Sequence, residues 1–441
     1  MSATLLGLFT HRPTQKQVFG LAIPMVVSNL SVPLVALVDT AVMGHSTDAS
    51  ALAAVAVGGS LYVMLVGIMS FLRMSTTGFS AQAYGQNQPA LISQVLYQAL
   101  ILSILLGTLL VLAARPLSNG LLTLIAGSDS LQSQTTVFFS QRLMGLPAAL
   151  ANFALIGWFL GQQNARTPLV MMLCCNLINA SLCALLVMVF ELGVKGAAWA
   201  AVVGEYVALG LGLWLARAAL RHPPTRTRLA NLQTWRRLLS VNRDIFLRSL
   251  ALQSVFVLIA VQGARLGETT AAANLLLLNG LLITSYALDG LAHALEALCG
   301  KAIGAKDTLS LKRALAVAGI WSGVISTCLS LSFFIFGAHF IALQTNLVEV
   351  KESALTYVPY LALMPLLAVG SYVLDGLFIG ATQAAPMRNA MLLALAIALP
   401  FALLSQGLGN HGLWLSFMLF MAARTALMAV YACKLMGHWV R

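Results

Sequence analysis

The chain has 441 residues, of which 9% are charged and 59% hydrophobic, with a formal net charge of +12. A soluble domain carries about 25% charged residues, so this composition excludes an ordinary water-soluble enzyme. The positive balance alone would suit nucleic acid, but its placement excludes that partner. Eight arginines fall between positions 217 and 248, around a loop joining two apolar stretches, the usual cytoplasmic mark of a membrane protein.

A hydrocarbon core about 30 Å thick needs roughly 20 apolar residues per helical span. In chain order, apolar runs and loop signals predict spans at 17–42, 51–80, 92–113, 137–161, 168–190 and 196–216. A second set follows at 245–263, 270–298, 313–337, 355–380, 388–405 and 412–433. The residues before the first span carry no short apolar core with a small-residue cleavage site, so the first helix is expected to stay in the membrane. With the N-terminus cytoplasmic, inside segments hold seventeen Lys and Arg, from Arg12 to Arg441, and outside loops hold four: Arg115, Lys195, Arg265 and Lys351. That asymmetry predicts both termini inside and an even number of spans. Arg73, Arg142, Arg248 and Arg424 fall within spans; Arg142 and Arg248 lie near span ends, where a long side chain reaches the interface cheaply.

The two halves resemble each other at an offset of 219 residues. Gly44 falls on Gly263, Gly85 on Gly304, Gly157 on Gly376 and Gly161 on Gly380, and Gly157-Trp158-Phe159-Leu160-Gly161 falls on Gly376-Leu377-Phe378-Ile379-Gly380. Six spans per half keep both repeats in one orientation, which implies a pseudo-twofold along the membrane normal with a cavity between two bundles. The expected fold is therefore all-α and integral to the membrane, twelve helices in two six-helix bundles. The expected division is an N-terminal lobe at 1–216, a basic linker at 217–244 and a C-terminal lobe at 245–441.

The six cysteines lie in or beside apolar runs without a C-x-x-C pair, and the scattered histidines (His11, His45, His222, His293, His339, His411 and His438) form no cluster. No metal or cofactor is expected, nor a membrane-embedded transferase. Five acids do fall inside spans: Asp39, Glu205, Asp289, Glu296 and Asp375. An acid at mid-bilayer costs roughly 2.5–3.5 kcal/mol, so each faces protein or water. Pairing with arginine as a structural tie is one reading; a place in a substrate cavity, with Asn152, is the other. Asp39 stands apart because Pro24 and Pro33 precede it on the same helix, and each proline removes a backbone hydrogen bond. A carboxylate on a helix that can bend suits a protonation-driven gate. Asn176 and Asn179, three apart and on one helical face, are natural amide partners for it.

Several strings resemble one known family, the multidrug and toxic compound extrusion (MATE) transporters, in their DinF branch. They are Val38-Asp39-Thr40-Ala41, Phe71-Leu72-Arg73-Met74-Ser75-Thr76-Thr77-Gly78, Asn242-Arg243-Asp244-Ile245, Tyr286-Ala287-Leu288-Asp289-Gly290 and Leu374-Asp375-Gly376-Leu377-Phe378-Ile379-Gly380. The resemblance implies a V of two six-helix lobes and cation-coupled export of drug-like compounds. By the same resemblance, Asp39 matches the first-helix proton carrier, Pro24 the bending proline, and Asn179 an amide of the same pocket. Where many members carry a second aspartate this chain has Cys183, expected only to pack. Asp375 matches an acid implicated in sodium coupling in another branch, but the seventh span carries Gln253 and no acid. The expectation is a monomeric, proton-coupled exporter of amphipathic, often cationic compounds in a bacterial inner membrane, in contact with lipid. Sodium coupling, a flippase of lipid-linked precursors and a simple channel are the alternatives.

Overall fold

A computed structural model of the chain describes residues 5–44, 49–122 and 129–436. The first four residues, His45, His438 and Arg441, which figure in the sequence reading, lie outside the described residues. Among the described residues, twelve helices are long and apolar enough to cross a membrane. The first six are α1 (Arg12–Gly44), α2 (Ser50–Gly85), α3 (Pro89–Leu122), α4 (Asp129–Gly161), α5 (Arg166–Val189) and α6 (Gly193–Leu215). The second six are α7 (Leu232–Arg265), α8 (Glu268–Gly304), α9 (Thr308–Ala342), α10 (Val348–Gly380), α11 (Ala384–Leu404) and α12 (Asn410–Leu435). No strand occurs among the described residues.

Most helices outrun their apolar cores, because polar residues at the ends continue the backbone hydrogen bonding. α9 starts five residues before the expected 313, at Thr308, because Asp307 caps it. One carboxylate oxygen of Asp307 accepts from the Leu309 and Ser310 amides, each at 3.0 Å, and the other from the Ser310 hydroxyl at 2.6 Å. Those bonds, the Ser310 hydroxyl first, hold this carboxyl below its ordinary range. The basic stretch after α6 is more ordered than a loop. It contains short helices at Arg217–Leu220 and Arg226–Leu229, and α7 begins thirteen residues before the expected 245. α1 runs as one helix through Pro24 and Pro33.

Two compact units can be distinguished: one is Val27–Arg236, the other Met1–Val26 with Arg237–Arg441. The dividing point falls on α1 between its two prolines. Inside the second unit, the early part of α1 packs so closely on α8 that a Cβ at Gly290 would lie 2.2 Å from Val26 and 3.0 Å from the Ala22 carbonyl.

Each unit contains the same glycine-mediated crossing. In the first, a Cβ at Gly157 would sit 2.3 Å from the Arg73 carbonyl, and one at Gly161 would sit 2.7 Å from the Ala81 amide. In the second, a Cβ at Gly376 would sit 2.7 Å from the Ala292 carbonyl, and one at Gly380 would sit 2.8 Å from the Gly300 amide. Positions 73, 81, 157 and 161 map onto 292, 300, 376 and 380 at the offset of 219, so the repeat seen in sequence is a repeat of backbone contacts. Small residues allow this approach, which dispersion and weak polar contacts then stabilise in lipid.

Gly157→Val and Gly376→Val are each expected to cost at least about 1–3 kcal/mol by overpacking. The measurement is the melting temperature of purified protein beside Gly319→Ala, where a Cβ meets nothing within 4 Å. Equal melting of all three would refute the crossing.

Candidate functional site

In the first unit, α1 and α5 share a ladder of polar contacts. Ser28 on α1 donates to the Met172 sulfur at 2.6 Å. Asn176 donates through Nδ2 to Ser31 Oγ at 2.7 Å. At the far end, Asn179 Nδ2 lies 3.4 and 3.2 Å from the two carboxylate oxygens of Asp39. The α5 members Met172, Asn176, Asn179 and Cys183 recur at helical spacing, which puts them on one face. Asn179 therefore reaches Asp39 as expected, whereas Asn176 bonds two turns away to Ser31. Cys183 does more than pack: its thiol, fully buried, hydrogen-bonds the Asp39 carboxylate. Pro33 lies between Ser31 and Asp39, so the Asn29 carbonyl loses its helical donor within the ladder.

Glu205, on α6, takes a different environment. Arg142 of α4 donates to it at 2.8 Å, and the Tyr62 hydroxyl of α2 lies 3.0 and 3.2 Å from its two oxygens. The Arg142 guanidinium also stacks over the Tyr62 ring, 3.8 Å from its centroid. Asn152 donates to the main-chain carbonyl of Glu205 at 2.9 Å. A Cβ at Gly145 would lie 2.0 Å from the Glu205 carboxylate, so a larger residue there would displace that side chain from its partners. Arg142 thus does not run to the membrane interface. Its counter-ion sits 63 residues away in sequence, where no spacing rule reveals it.

In the second unit, Asp375 on α10 accepts from both Arg248 on α7 and Arg424 on α12 through the same oxygen. All three side chains are buried, so Arg248, like Arg142, is an ion-pair member and not an interfacial anchor. Glu296 pairs with His293, one turn earlier on α8, at 3.2 Å. Asp289, half-buried on α8, interacts electrostatically with Arg248 and with Tyr372, whose hydroxyl lies 2.5 Å from Ser285 Oγ. Of the residues expected in a substrate cavity, Asn152 and Glu205 belong to one unit, and Asp289, Glu296 and Asp375 to the other. Tyr62, Ser31 and Tyr372 complete these groups without having been singled out. For the arginines a signal existed, since an intramembrane guanidinium requires a partner. Among the described residues, no group of three or more His, Cys, Asp or Glu is placed to hold a metal ion.

Asp375→Asn would leave two buried guanidiniums without their counter-charge, at an expected cost of about 3–5 kcal/mol. Its melting temperature is to be compared with that of Asp289→Asn, at the half-buried acid. An Asp375→Asn protein as stable as wild type would show that the pair contributes nothing.

The MatE family profile matches residues 24–185 and 245–404, one segment in each half. The chain is 41% identical over 429 residues to DNA damage-inducible protein F of Escherichia coli (strain K12), covering 97% of this chain and 93% of that protein. A shorter match, 31% identical over 143 residues, covers 32% of this chain and 31% of the probable multidrug resistance protein NorM of Acinetobacter baylyi. Among solved structures, MATE in the bent conformation superposes with a TM-score of 0.89 at 17% identity, over 100% of this chain and 99% of that one. Because the profile takes in both halves and the bacterial relative aligns along nearly the whole length, the chain belongs to the MatE family of membrane transporters, on the DinF branch.

Proposed function

We propose that the protein exports amphipathic, often cationic organic compounds from a bacterial cell in exchange for inward-moving protons, with Asp39 as the proton carrier. It would work as a monomer in the inner membrane, with both termini cytoplasmic. Membership of a multidrug and toxic compound extrusion family supports the substrate class. The charge asymmetry of the loops supports the orientation.

The observation that carries the coupling is the setting of Asp39: a carboxylate on a proline-interrupted helix, hydrogen-bonded by the neutral donors Asn179 and Cys183. An ionised carboxylate accepts only; protonation weakens its acceptor strength and adds a donor. Asn179 then loses a charge-assisted bond, and the α1–α5 ladder loses its end rung. Pro33 has already removed one backbone bond from that stretch, so a change of shape in α1 there costs less than in an unbroken helix. With the protein open outward, proton uptake would displace a cationic substrate. Opened inward, it would release the proton and accept substrate again. The membrane potential contributes about 2.3 kcal/mol per elementary charge per 100 mV to such an exchange. Protons are favoured over sodium because Asp375, the acid that resembles a sodium ligand, is engaged by two guanidiniums.

The test is export by purified protein in liposomes, with proton and sodium gradients imposed separately. A proton gradient alone is expected to drive transport, and Asp39→Asn to abolish it while the variant still folds and inserts. Transport driven by sodium alone, or wild-type rates in Asp39→Asn, would overturn the assignment.

For topology, a cysteine placed at Thr227 in a background lacking the exposed Cys328 and Cys433 should react with an impermeant thiol reagent only after the membrane is opened. Labelling in intact cells would invert the orientation.

A further inference from the structure

The stretch joining α6 to α7 is held against α3 and is not a slack tether. Near its start, α3 presents Ser93, Gln94, Tyr97 and Gln98 on one face. Ser93 Oγ lies 3.0 and 2.8 Å from the carbonyls of Ala219 and His222, and Tyr97 donates to the Leu220 carbonyl at 2.8 Å. Gln94 donates to the Arg228 carbonyl at 3.2 Å, and Gln98 to the Thr234 hydroxyl at 3.0 Å. Trp235 closes the stretch internally, donating through Nε1 to the Leu229 carbonyl at 2.7 Å. Ser93, Gln94 and Gln98 are buried by these contacts.

Apart from the Gln98–Thr234 bond, these contacts engage main-chain carbonyls, and none engages a guanidinium. Arg221, Arg226, Arg228 and Arg236 are exposed and make no side-chain hydrogen bond or ion pair among the described residues. No Asp or Glu occurs from 216 to 243 to answer them. Trp214, 58% exposed, ends α6, and the Arg217 guanidinium stacks on its ring 4.2 Å from the centroid. A tryptophan in the last turn of a membrane helix marks headgroup depth. The arginines therefore begin where the apolar run of α6 stops.

We propose that residues 217–236 form a docking surface for the headgroups of anionic phospholipids. Arg221, Arg226 and Arg228 bind phosphate, and the Arg217–Trp214 pair sets the depth. A guanidinium fork matches phosphate oxygens with two parallel hydrogen bonds. Fixing the backbone beforehand on α3 lowers the ordering cost that a free polybasic tail would carry. Continuity with exposed Trp214 and Leu232 favours a lipid surface over nucleic acid, which would meet apolar side chains on the same face.

The experiment titrates the purified full-length protein in detergent with phosphatidylglycerol and phosphatidylcholine, and counts bound lipids by native mass spectrometry. Wild type should prefer phosphatidylglycerol by at least about tenfold at low salt, an attraction of a few fold per arginine that fades as salt rises. The Arg221→Gln/Arg226→Gln/Arg228→Gln variant should lose that preference, and the corresponding triple Lys variant should keep most of it. Equal preference in wild type and the triple Gln variant would overturn the proposal. So would displacement of the lipid by equimolar glycerol phosphate or a short oligonucleotide, which would assign the surface to free phosphate or nucleic acid. The readout does not involve transport, so it stands or falls separately from the exporter reading.

Discussion

Hydrocarbon offers no hydrogen bonds, so a charged or amide side chain drawn into these spans is stabilised when another part of the same protein answers it. That constraint orders the interior of both units. Asn274 and Asn410 exchange amide bonds at 2.8 and 2.9 Å, and Trp414 donates to the same Asn274 oxygen at 2.8 Å. Asp375 answers two arginines, and Glu205 answers Arg142 and Tyr62. These groups bind α7 to α10 and α12, and α2 to α4 and α6. Breaking one partner out of such a set strands the others, which is what makes the helix arrangement specific.

Asp39 obeys the same constraint in a weaker form, and the contrast is informative. Its hydrogen-bond partners are an amide at 3.2 and 3.4 Å and a thiol. Glu205 is held by one guanidinium and Asp375 by two, each a permanently charged partner. Neutral donors impose no such charge. Pro33, two residues after Ser31 and six before Asp39, also removes one backbone hydrogen bond from the stretch of helix between these contacts. The acids within the spans thus differ in their partners more than in their sequence context.

The glycine crossings show how the repeat is maintained physically. Gly157 and Gly161 bring α4 against α2, and Gly376 and Gly380 bring α10 against α8, with backbone atoms as the opposing surface in each case. A side chain at any of these positions would separate helices that also carry Arg73, Glu296 or Asp375. Packing of the crossing and placement of the polar groups are therefore one requirement, imposed twice at the same offset.

Much of this was legible in the sequence because it depends on local composition. The twelve spans follow from apolar run length, the two halves from glycines recurring at 219 residues, and the family from short strings in both halves. Asp39 and Asn179 could be picked out because proline and asparagine are conspicuous against an apolar background. Partnerships were another matter. That Asn176 turns to Ser31, that Cys183 bonds Asp39, and that Arg142 and Arg248 pair inward with Glu205 and Asp375 depend on helix rotation and on neighbours 63 to 145 residues away. The same holds for the stretch after α6, whose arginines were plain but whose anchoring on α3 was not. Hydropathy measures how far a segment partitions into lipid, and it does so one segment at a time. Which side chain faces which is decided only when helices pack, because the hydrogen bonds that matter in lipid run between helices.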